Sequence, residues 1–278
     1  MNRREFVTGI GVSAAVVATG VIGWHFELHH LEVVEQALPI DGLPAVLDGK
    51  LLVQLSDLHI GPEVDDDYVR QVFRRAVSLK PDIVAFTGDF VTWRGTQQLL
   101  QLDNVLADMP TGSIATVAIV GNHDYGAGWS DNSVAESVMN IVSRHGAHFM
   151  RNSVHIVEGL NIIGLDDLWA RRTAVQYTRT LVSAGAPSLV LCHNPDVADH
   201  PAWNGYRGWM LSGHTHGGQC KFPFFTPPLL PVRNKRYAAG LVSLTDGRKV
   251  YINRGVGHTL PIRINVRPEI TSFRLARA

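Results

Sequence analysis

The chain has 278 residues, of which 45% are hydrophobic and 18% are charged, and its formal net charge is zero. A chain of this size and composition can bury a full α/β core within one large domain. The neutral charge balance argues against a nucleic-acid backbone as the main partner, because domains that bind one usually carry a basic excess.

The chain begins with a twin-arginine pattern. Arg3 and Arg4 precede an uncharged stretch from Thr8 to Trp24 that is rich in Gly, Ala, Val and Thr. As a helix this stretch would span about 25 Å, short of the roughly 30 Å hydrocarbon core, which disfavours a permanent transmembrane helix without excluding it. We interpret residues 1–30 as a twin-arginine signal, either cleaved or kept as a membrane anchor. This predicts export by the twin-arginine machinery to the periplasm or cell envelope, or anchoring to the cytoplasmic membrane.

Residues 31–49 are interpreted as a lead-in segment, and residues 50–278 as the main domain. Short apolar, β-branched runs predict strands at 51–55, 83–87, 114–120, 189–191 and 209–211. Helical periodicity between them predicts helices at 67–79, 97–107, 134–145 and 173–184. This alternation indicates a mostly parallel sheet that is covered by helices.

Each of these five predicted strands is followed by a short polar motif. In chain order the motifs are DLH at 57–59, GD at 88–89, GNHD at 121–124, CHN at 192–194 and GHTH at 213–216. Because parallel strands carry their sites at the carboxyl edge of the sheet, we expect these motifs to meet there. Oxygen donors and imidazoles are ligands that suit Zn, Mn and Fe, and thiolates are not needed.

The ordered set of motifs resembles the calcineurin-like metallophosphoesterase superfamily, whose series is DxH, GD, GNH(D/E), H and GHxH. The resemblance extends from Leu51 to about Leu275, and the phrases LVQLSDLHIG, TGDFV, GNHDY, LCHNPD and SGHTHGGQ are most similar to its bacterial YkuE/YaeI-type branch. It implies an α/β fold of four layers, an αββα sandwich with two packed mixed sheets. It also implies a metal-dependent phosphoesterase.

Carried over by position, the resemblance assigns residues to two divalent metal ions, which the ligand types allow to be Mn, Zn or Fe. One ion would be bound by Asp57, His59 and His216, the other by Asn122, His193 and His214, with Asp89 bridging both. His123 would be the catalytic acid that protonates the leaving group, or a group that steadies the phosphoryl oxygens. A bridging hydroxide on the two ions would attack phosphorus.

Three positions near the motifs have open interpretations. Thr92 stands where many family members have a second acid that orients the motif histidine, so either Asp124 or a backbone carbonyl orients His123, or catalysis depends more heavily on the metals. Arg94 is a candidate substrate contact or an exposed loop arginine. His258 lies in a Gly-rich loop and is a candidate substrate contact at the rim of the site or a structural histidine.

The proline-rich segment 221–236 predicts a surface loop just past the last ligand motif. Its apolar and basic residues suit a wall of the substrate cleft or a membrane interface. In the alternative interpretation the aromatic residues pack onto the domain. The apolar residues of the loop are Phe222, Phe224, Phe225, Leu229 and Leu230. Beyond the loop, alternation at 237–244, 249–253 and 262–275 predicts strands of a second sheet. Cys192 and Cys220 are expected to be buried free thiols.

These observations predict hydrolysis of a phosphodiester or pyrophosphate in a phosphorylated small molecule, a lipid-linked precursor or another cell-envelope substrate. The alternatives are a UDP-2,3-diacylglucosamine-type pyrophosphatase, which would need an acyl pocket, and a phosphomonoesterase, which would need a tight cationic pocket. A metal-stabilised binding module without turnover is the alternative outside enzymes. Such a module would be expected to lose His123 or the bridging carboxylate, and this chain retains both.

Overall fold

Two six-stranded mixed sheets form the centre of the fold in the computed structural model, which describes residues 28–203, 205–221, 227–228 and 230–278. Residues 1–27 of the predicted signal at 1–30, and the apolar loop residues Phe222, Phe224, Phe225 and Leu229, lie outside the described residues. The strands are β1 (Glu32–Ile40), β2 (Leu51–Leu55), β3 (Ile83–Phe86), β4 (Ala115–Ile119), β5 (His148–Met150), β6 (Ser153–Val157), β7 (Leu160–Gly164), β8 (Ser188–Leu191), β9 (Trp209–Ser212), β10 (Gly240–Ser243), β11 (Lys249–Ile252) and β12 (Glu269–Arg277). The helices are α1 (Asp66–Ser78), α2 (Gln97–Val105), α3 (Asn132–Arg144) and α4 (Val175–Thr180).

The strand order is β1-β12-β2-β3-β4-β5 in the first sheet and β10-β11-β9-β8-β7-β6 in the second. Strands β2 to β5 are parallel to one another, as are β7, β8, β9 and β11. Each sheet is mixed because β12 runs antiparallel to β2, and because β6 and β10 run antiparallel to their neighbours. The ligand motifs follow parallel strands, as predicted, but these strands lie in two sheets and not in one, with β2, β3 and β4 in the first sheet and β8 and β9 in the second.

Apolar residues of the two sheets face each other in a buried cluster that includes Leu52, Ile83, Val117, Leu189 and Leu211. A second cluster joins the outer face of the first sheet to α1, α2 and α3, and a third covers the outer face of the second sheet beside α4. The layers are therefore helices, sheet, sheet and helix. The predicted αββα sandwich is confirmed.

Helix α1 shows how local sequence sets these elements. The Asp65 side chain accepts a hydrogen bond from the backbone N–H of Tyr68 and so caps the first turn. Val69, Val72 and Phe73 then recur at helical spacing and are fully buried against the first sheet. No helix within the described ranges is both long and apolar enough to cross a membrane.

The structure differs from the prediction at both ends of the domain. Part of the lead-in segment forms β1, which pairs in parallel with β12 along its whole length. The prediction that 262–275 belongs to the second sheet was wrong, because β12 lies in the first sheet between β1 and β2. Alternation identifies a strand but carries no information about its partner, which long-range packing decides.

Candidate metal centre

The loops that follow β2, β3 and β4 in the first sheet meet the loops that follow β8 and β9 in the second. Gln54 connects the two sheets beneath this point, since its Nε2 donates to Thr87 Oγ1 and to the Ser212 carbonyl, each over 2.9 Å. All seven residues assigned to metal ions are buried there: Asp57, His59, Asp89, Asn122, His193, His214 and His216. The site is therefore assembled at the junction of the two sheets.

Asp57, His59 and His216 form the first group able to hold an ion. His216 Nε2 lies 3.0 Å from His59 Nε2 and 3.3 Å from Asp57 Oδ1. Two ligand atoms that are each about 2.0–2.1 Å from one tetrahedral ion lie roughly 3.3 Å apart. The spacing of these atoms therefore fits a shared cation.

Asp89, His193 and His214 form the second group. His193 Nε2 lies 3.0 Å from Asp89 Oδ2 and 3.3 Å from His214 Nδ1. The same Asp89 Oδ2 lies 3.6 Å from Nε2 of His59, which belongs to the first group. This carboxylate oxygen therefore stands between the two groups, where a bridging ligand would be needed.

Asn122 provides an independent test of whether a metal fits. Its side chain is fully buried, yet both its Oδ1 and its Nδ2 are without a hydrogen-bond partner among the described residues. A buried amide left in this state costs about 1–3 kcal/mol. Coordination of an ion by Oδ1 would remove part of this cost, so the residues present fit a metal centre.

Hydrogen bonds to the far side of each ring orient the histidines. His193 Nδ1 lies 2.8 Å from the Thr87 carbonyl and His214 Nε2 lies 3.0 Å from the Pro231 carbonyl, so these nitrogens carry the proton and donate. The opposite nitrogens, His193 Nε2 and His214 Nδ1, lie 3.3 Å apart within the second group. His59 is held in the same way through its Nδ1, which lies 3.0 Å from Thr92 Oγ1.

The backbone at the ligands is in an unusual conformation. Five of the seven have a positive φ: 54° at Asp57, 50° at His59, 57° at Asp89, 71° at His214 and 49° at His216. Residues other than glycine rarely adopt this region, and each instance costs about 1–3 kcal/mol. Such strain persists where the surrounding structure holds it, and it concentrates at functional sites.

Two glycines let the ligand loops approach one another. A Cβ at Gly121 would collide with the side chain and backbone N of Asp89, and one at Gly213 would collide with Ser56 and Asp57. These contacts explain why GNHD and GHTH begin with glycine. Any larger residue would push the strand ends apart.

Burial and charge set the protonation of the cluster. Burial lowers the pKa of both His59 and His216 well below the usual range, so both are neutral and able to bind a metal. Burial acts to lower the pKa of His193, but the carboxylates of Asp89, Asp57 and Asp167 together outweigh it and raise the pKa to about 10. Burial would raise the pKa of Asp89, but its imidazole neighbours, first of all His193, hold it well below its usual range. A cation held by Asp89 and His193 would therefore compete with the His193 proton.

The structure shows which groups Thr92 and Asp124 contact, and so bears on the question of what orients His123. Thr92 contacts the metal-group residue His59 rather than His123. The Asp124 carboxylate accepts backbone N–H groups of Asp89, Phe90, Val91 and Gly121 at 2.8–3.2 Å. His123 is instead placed through its backbone N–H, which donates to Asp89 Oδ1 over 2.8 Å. Its ring packs edge-on against His59, with the centroids 4.9 Å apart.

Asp124 thus joins the GD loop to the GNHD loop, and Asp124→Asn is expected to destabilise the protein by about 2–6 kcal/mol. Each carboxylate oxygen accepts two N–H groups, so the amide leaves two buried donors unsatisfied at about 1–3 kcal/mol each. Urea unfolding monitored by circular dichroism measures the change. The exposed Asp67→Asn is the control and is expected to stay within about 0.5 kcal/mol of the wild type. Equal stability of the two variants would contradict this role.

The two candidate substrate contacts lie outside the metal-ligating groups. Arg94 is exposed and forms an ion pair with Glu63, with Nη2 2.6 Å from Oε1. His258 is buried and its Nε2 lies 2.9 Å from the Glu63 carbonyl, while burial lowers its pKa to about 4. Both residues therefore hold the loop around Glu63, and their contact with substrate stays a prediction.

The described part of the proline-rich loop lies against the site. Pro231 supplies the carbonyl next to His214, and Leu230 and Val232 are buried. Leu230 therefore packs onto the domain rather than being exposed, which corrects the prediction for this residue. Cys192 and Cys220 are buried and free, as expected.

Sequence reasoning missed Asp167, Trp129 and Trp169. Asp167 is buried with its Oδ2 unpartnered among the described residues, and burial raises its pKa to about 6. It follows β7, the neighbour of β8, and the apolar run 160–165 before two acids is the same strand-then-ligand pattern as in the five motifs. The tryptophans carry no sequence motif and are recognised only from their positions beside the histidines.

The comparisons with known proteins agree with this geometry. The family model described as Calcineurin-like phosphoesterase matches residues 51–218. The chain is 32% identical to the protein named Uncharacterized metallophosphoesterase YkuE of Bacillus subtilis (strain 168), over 99% of this chain and 98% of that protein. It is 33% identical to Phosphodiesterase YaeI of Escherichia coli (strain K12), over 80% of each chain. It is 28% identical to UDP-2,3-diacylglucosamine pyrophosphatase LpxG of Chlamydia trachomatis serovar D, over 95% of this chain and 97% of that protein.

The family match covers more than half of the chain and includes all five ligand motifs. The first of these relatives aligns over nearly the full length of both proteins. The resemblance noted from the motifs alone is confirmed. This chain belongs to the calcineurin-like phosphoesterase family, as a bacterial-type metallophosphoesterase.

Proposed function

We propose that this hydrolase cleaves a phosphodiester or pyrophosphate bond of an envelope-associated substrate, using two divalent ions bound by the seven residues assigned above. The observation that carries the proposal is the position of Asp89 Oδ2, 3.0 Å from His193 Nε2 and 3.6 Å from His59 Nε2. This carboxylate belongs to one group of three candidate ligands and also lies close to the second group, an arrangement that suits a pair of ions. The relative named Phosphodiesterase YaeI supports the diester reading.

Two ions held in this way would supply an activated water and would neutralise charge on the phosphoryl oxygens. The protein's own contribution is to orient groups around them. Asp89 Oδ1 accepts the His123 backbone N–H, which holds this histidine beside the cluster. From there the His123 ring would donate a proton to the departing oxygen.

A pyrophosphatase is the second candidate. The relative named UDP-2,3-diacylglucosamine pyrophosphatase LpxG supports it, since it aligns over 95% of this chain. A binding module without turnover is disfavoured, because both Asp89 and His123 are in place beside the cluster. Mn, Zn and Fe all suit the ligand set, so elemental analysis of protein purified without chelators identifies the ions present.

The manganese-loaded protein is expected to hydrolyse bis-p-nitrophenyl phosphate with a higher kcat/KM than p-nitrophenyl phosphate. Dialysis against a chelator should reduce this activity to background, and added Mn²⁺ should restore it, because the ligands alone offer no nucleophile. Release of p-nitrophenolate measures both rates. An undiminished rate after verified metal removal would contradict the metal mechanism, and two bound ions without any turnover would favour the binding module.

We further propose that residues 1–30 direct the folded domain out of the cytoplasm. The support is the Arg3-Arg4 pair ahead of an uncharged stretch. Conversion of Arg3 and Arg4 to lysine is expected to leave the protein in the cytoplasmic fraction, as measured by fractionation and immunoblotting. The exposed pair Arg74 and Arg75, changed to lysine in the same way, is the control and should not alter the distribution. An unchanged distribution for the first variant would refute twin-arginine export.

A further inference from the structure

A cavity of about 590 Å³ opens beside the metal centre, between the loop after GNHD and the loop after β7. Its walls include Trp129, Trp169, Arg171 and Arg233. Neither the motifs nor the proposed mechanism uses these four residues. The cavity is large enough for a group attached to the reacting phosphate.

The two tryptophans form a continuous aromatic wall next to the site. Their ring centroids are 4.8 Å apart and their planes are inclined by 33°. Trp129 contacts His123 with centroids 5.9 Å apart, and Trp169 contacts His214 edge-on at 4.4 Å. The wall therefore runs from the proposed acid to a proposed metal ligand, and a substrate bound to the ions would reach it directly.

Both indoles are held in place by their own loops while remaining partly exposed. The carboxylate of Asp167 accepts the backbone N–H of Ala170 over 2.7 Å and so closes the turn that carries Trp169. Trp129 has a φ of 57°, and its N–H donates to the Gly126 carbonyl over 3.1 Å. The indoles are thus fixed to strained or closed turns, which suits a pre-formed binding surface.

Arg171 and Arg233 add positive charge to the same cavity. Both side chains are exposed, and within the described part of the chain neither guanidinium forms an ion pair or a hydrogen bond. Asp196, which also lines the cavity, accepts the backbone N–H groups of Arg233 and Asn234. The three charges sum to plus one, so the cavity favours an anion.

We propose that this cavity binds the nucleotide part of a pyrophosphate-linked substrate, an inference that rests on the proposed function. A nucleobase would stack on the partly exposed indoles of Trp129 and Trp169, and the phosphate of the nucleotide would pair with Arg171 and Arg233. An acyl chain matches the indoles less well, because it offers no π face and leaves the two guanidiniums unpaired. A ribose phosphate would use only the arginines.

Isothermal titration calorimetry of the metal-loaded full chain tests separately the contribution of base stacking and that of phosphate pairing. Uridine 5′-monophosphate is expected to bind at least about fivefold tighter than ribose 5-phosphate, because a stacked base typically contributes that much or more. Trp169→Ala should remove this difference, and Trp169→Phe should keep most of it and guard against a folding defect. Changing Arg171 and Arg233 to Gln should weaken the binding of both ligands to a similar extent. The exposed Tyr177→Ala and Arg207→Gln are the controls and should bind as the wild type does.

Equal affinity of the wild type for the two ligands would overturn the inference, as would full retention of the difference in Trp169→Ala. Tighter binding of dodecyl phosphate than of uridine 5′-monophosphate, lost in Trp169→Ala, would overturn it in favour of an acyl site. The titrations need no turnover. Loss of the proposed function, seen as absent hydrolysis of bis-p-nitrophenyl phosphate, is therefore distinguishable from failure of nucleotide binding.

Discussion

Replacement of Asp89 by asparagine is expected to lower kcat/KM for bis-p-nitrophenyl phosphate by at least about 10³-fold. Changes to residues that merely support metal ligands typically cost 10–100-fold, and Asp89 lies among the ligands themselves. Asparagine keeps the size of the side chain and an oxygen that can accept the His123 N–H, so the change isolates the loss of charge between the two imidazole groups. The bound metal, measured by elemental analysis, should fall from two ions to one or fewer.

Asp82→Asn is the matched control, since Asp82 lies at the opposite end of β3 and accepts the Leu51 N–H far from the cluster. Its activity and metal content should equal those of the wild type. Circular dichroism of each variant excludes unfolding as the cause. Two bound ions and full activity in Asp89→Asn would show that the Asp89 carboxylate is not part of the metal centre.

Replacement of His123 by alanine is expected to lower kcat by about 10²–10⁴-fold while leaving two ions bound, the size of effect typical of a general acid. The loss should be largest for a dialkyl phosphodiester, because an alkoxide leaves poorly without a proton. It should be smaller for a p-nitrophenyl ester, because p-nitrophenolate is a good leaving group. Alcohol release by mass spectrometry and p-nitrophenolate release by absorbance compare the two substrates.

An equal loss for both substrates would instead assign His123 to steadying the phosphoryl oxygens. Unchanged rates for both would exclude any catalytic role. His200→Ala is the control, since His200 is exposed and its Nδ1 accepts the nearby Ala202 N–H. It should match the wild type on both substrates.

Much of the site was predictable because the chemistry lies in short motifs. The DLH, GD, GNHD, CHN and GHTH motifs each follow an apolar run, and strands of this kind end at the same edge of a parallel sheet. Six of the seven proposed ligands fall into two groups, with Asp57, His59 and His216 in one and Asp89, His193 and His214 in the other. The expectation of a single sheet edge was wrong, because β2, β3 and β4 lie in the first sheet and β8 and β9 in the second. Helix α1 begins and ends within one residue of the predicted 67–79, whereas α4 covers only Val175–Thr180 of the predicted 173–184.

Other features depend on contacts between residues far apart in the chain. The far nitrogens of His193 and His214 are held by the carbonyls of Thr87 and Pro231, 106 and 17 residues away. The Asp124 carboxylate binds loop N–H groups 33–35 residues earlier as well as that of Gly121. Local composition does not indicate these hydrogen-bond partners, so they could not be inferred from the sequence.

The sequence by itself determined which side chains are candidate ligands and that each follows a strand, because residue type and short-range periodicity are local properties. Only the tertiary structure decided the orientation of each imidazole ring, the position of β12 in the first sheet and the formation of the aromatic wall by Trp129 and Trp169. These follow from how two sheets pack across a shared apolar core. That packing depends on the joint fit of many distant side chains, which no single segment specifies.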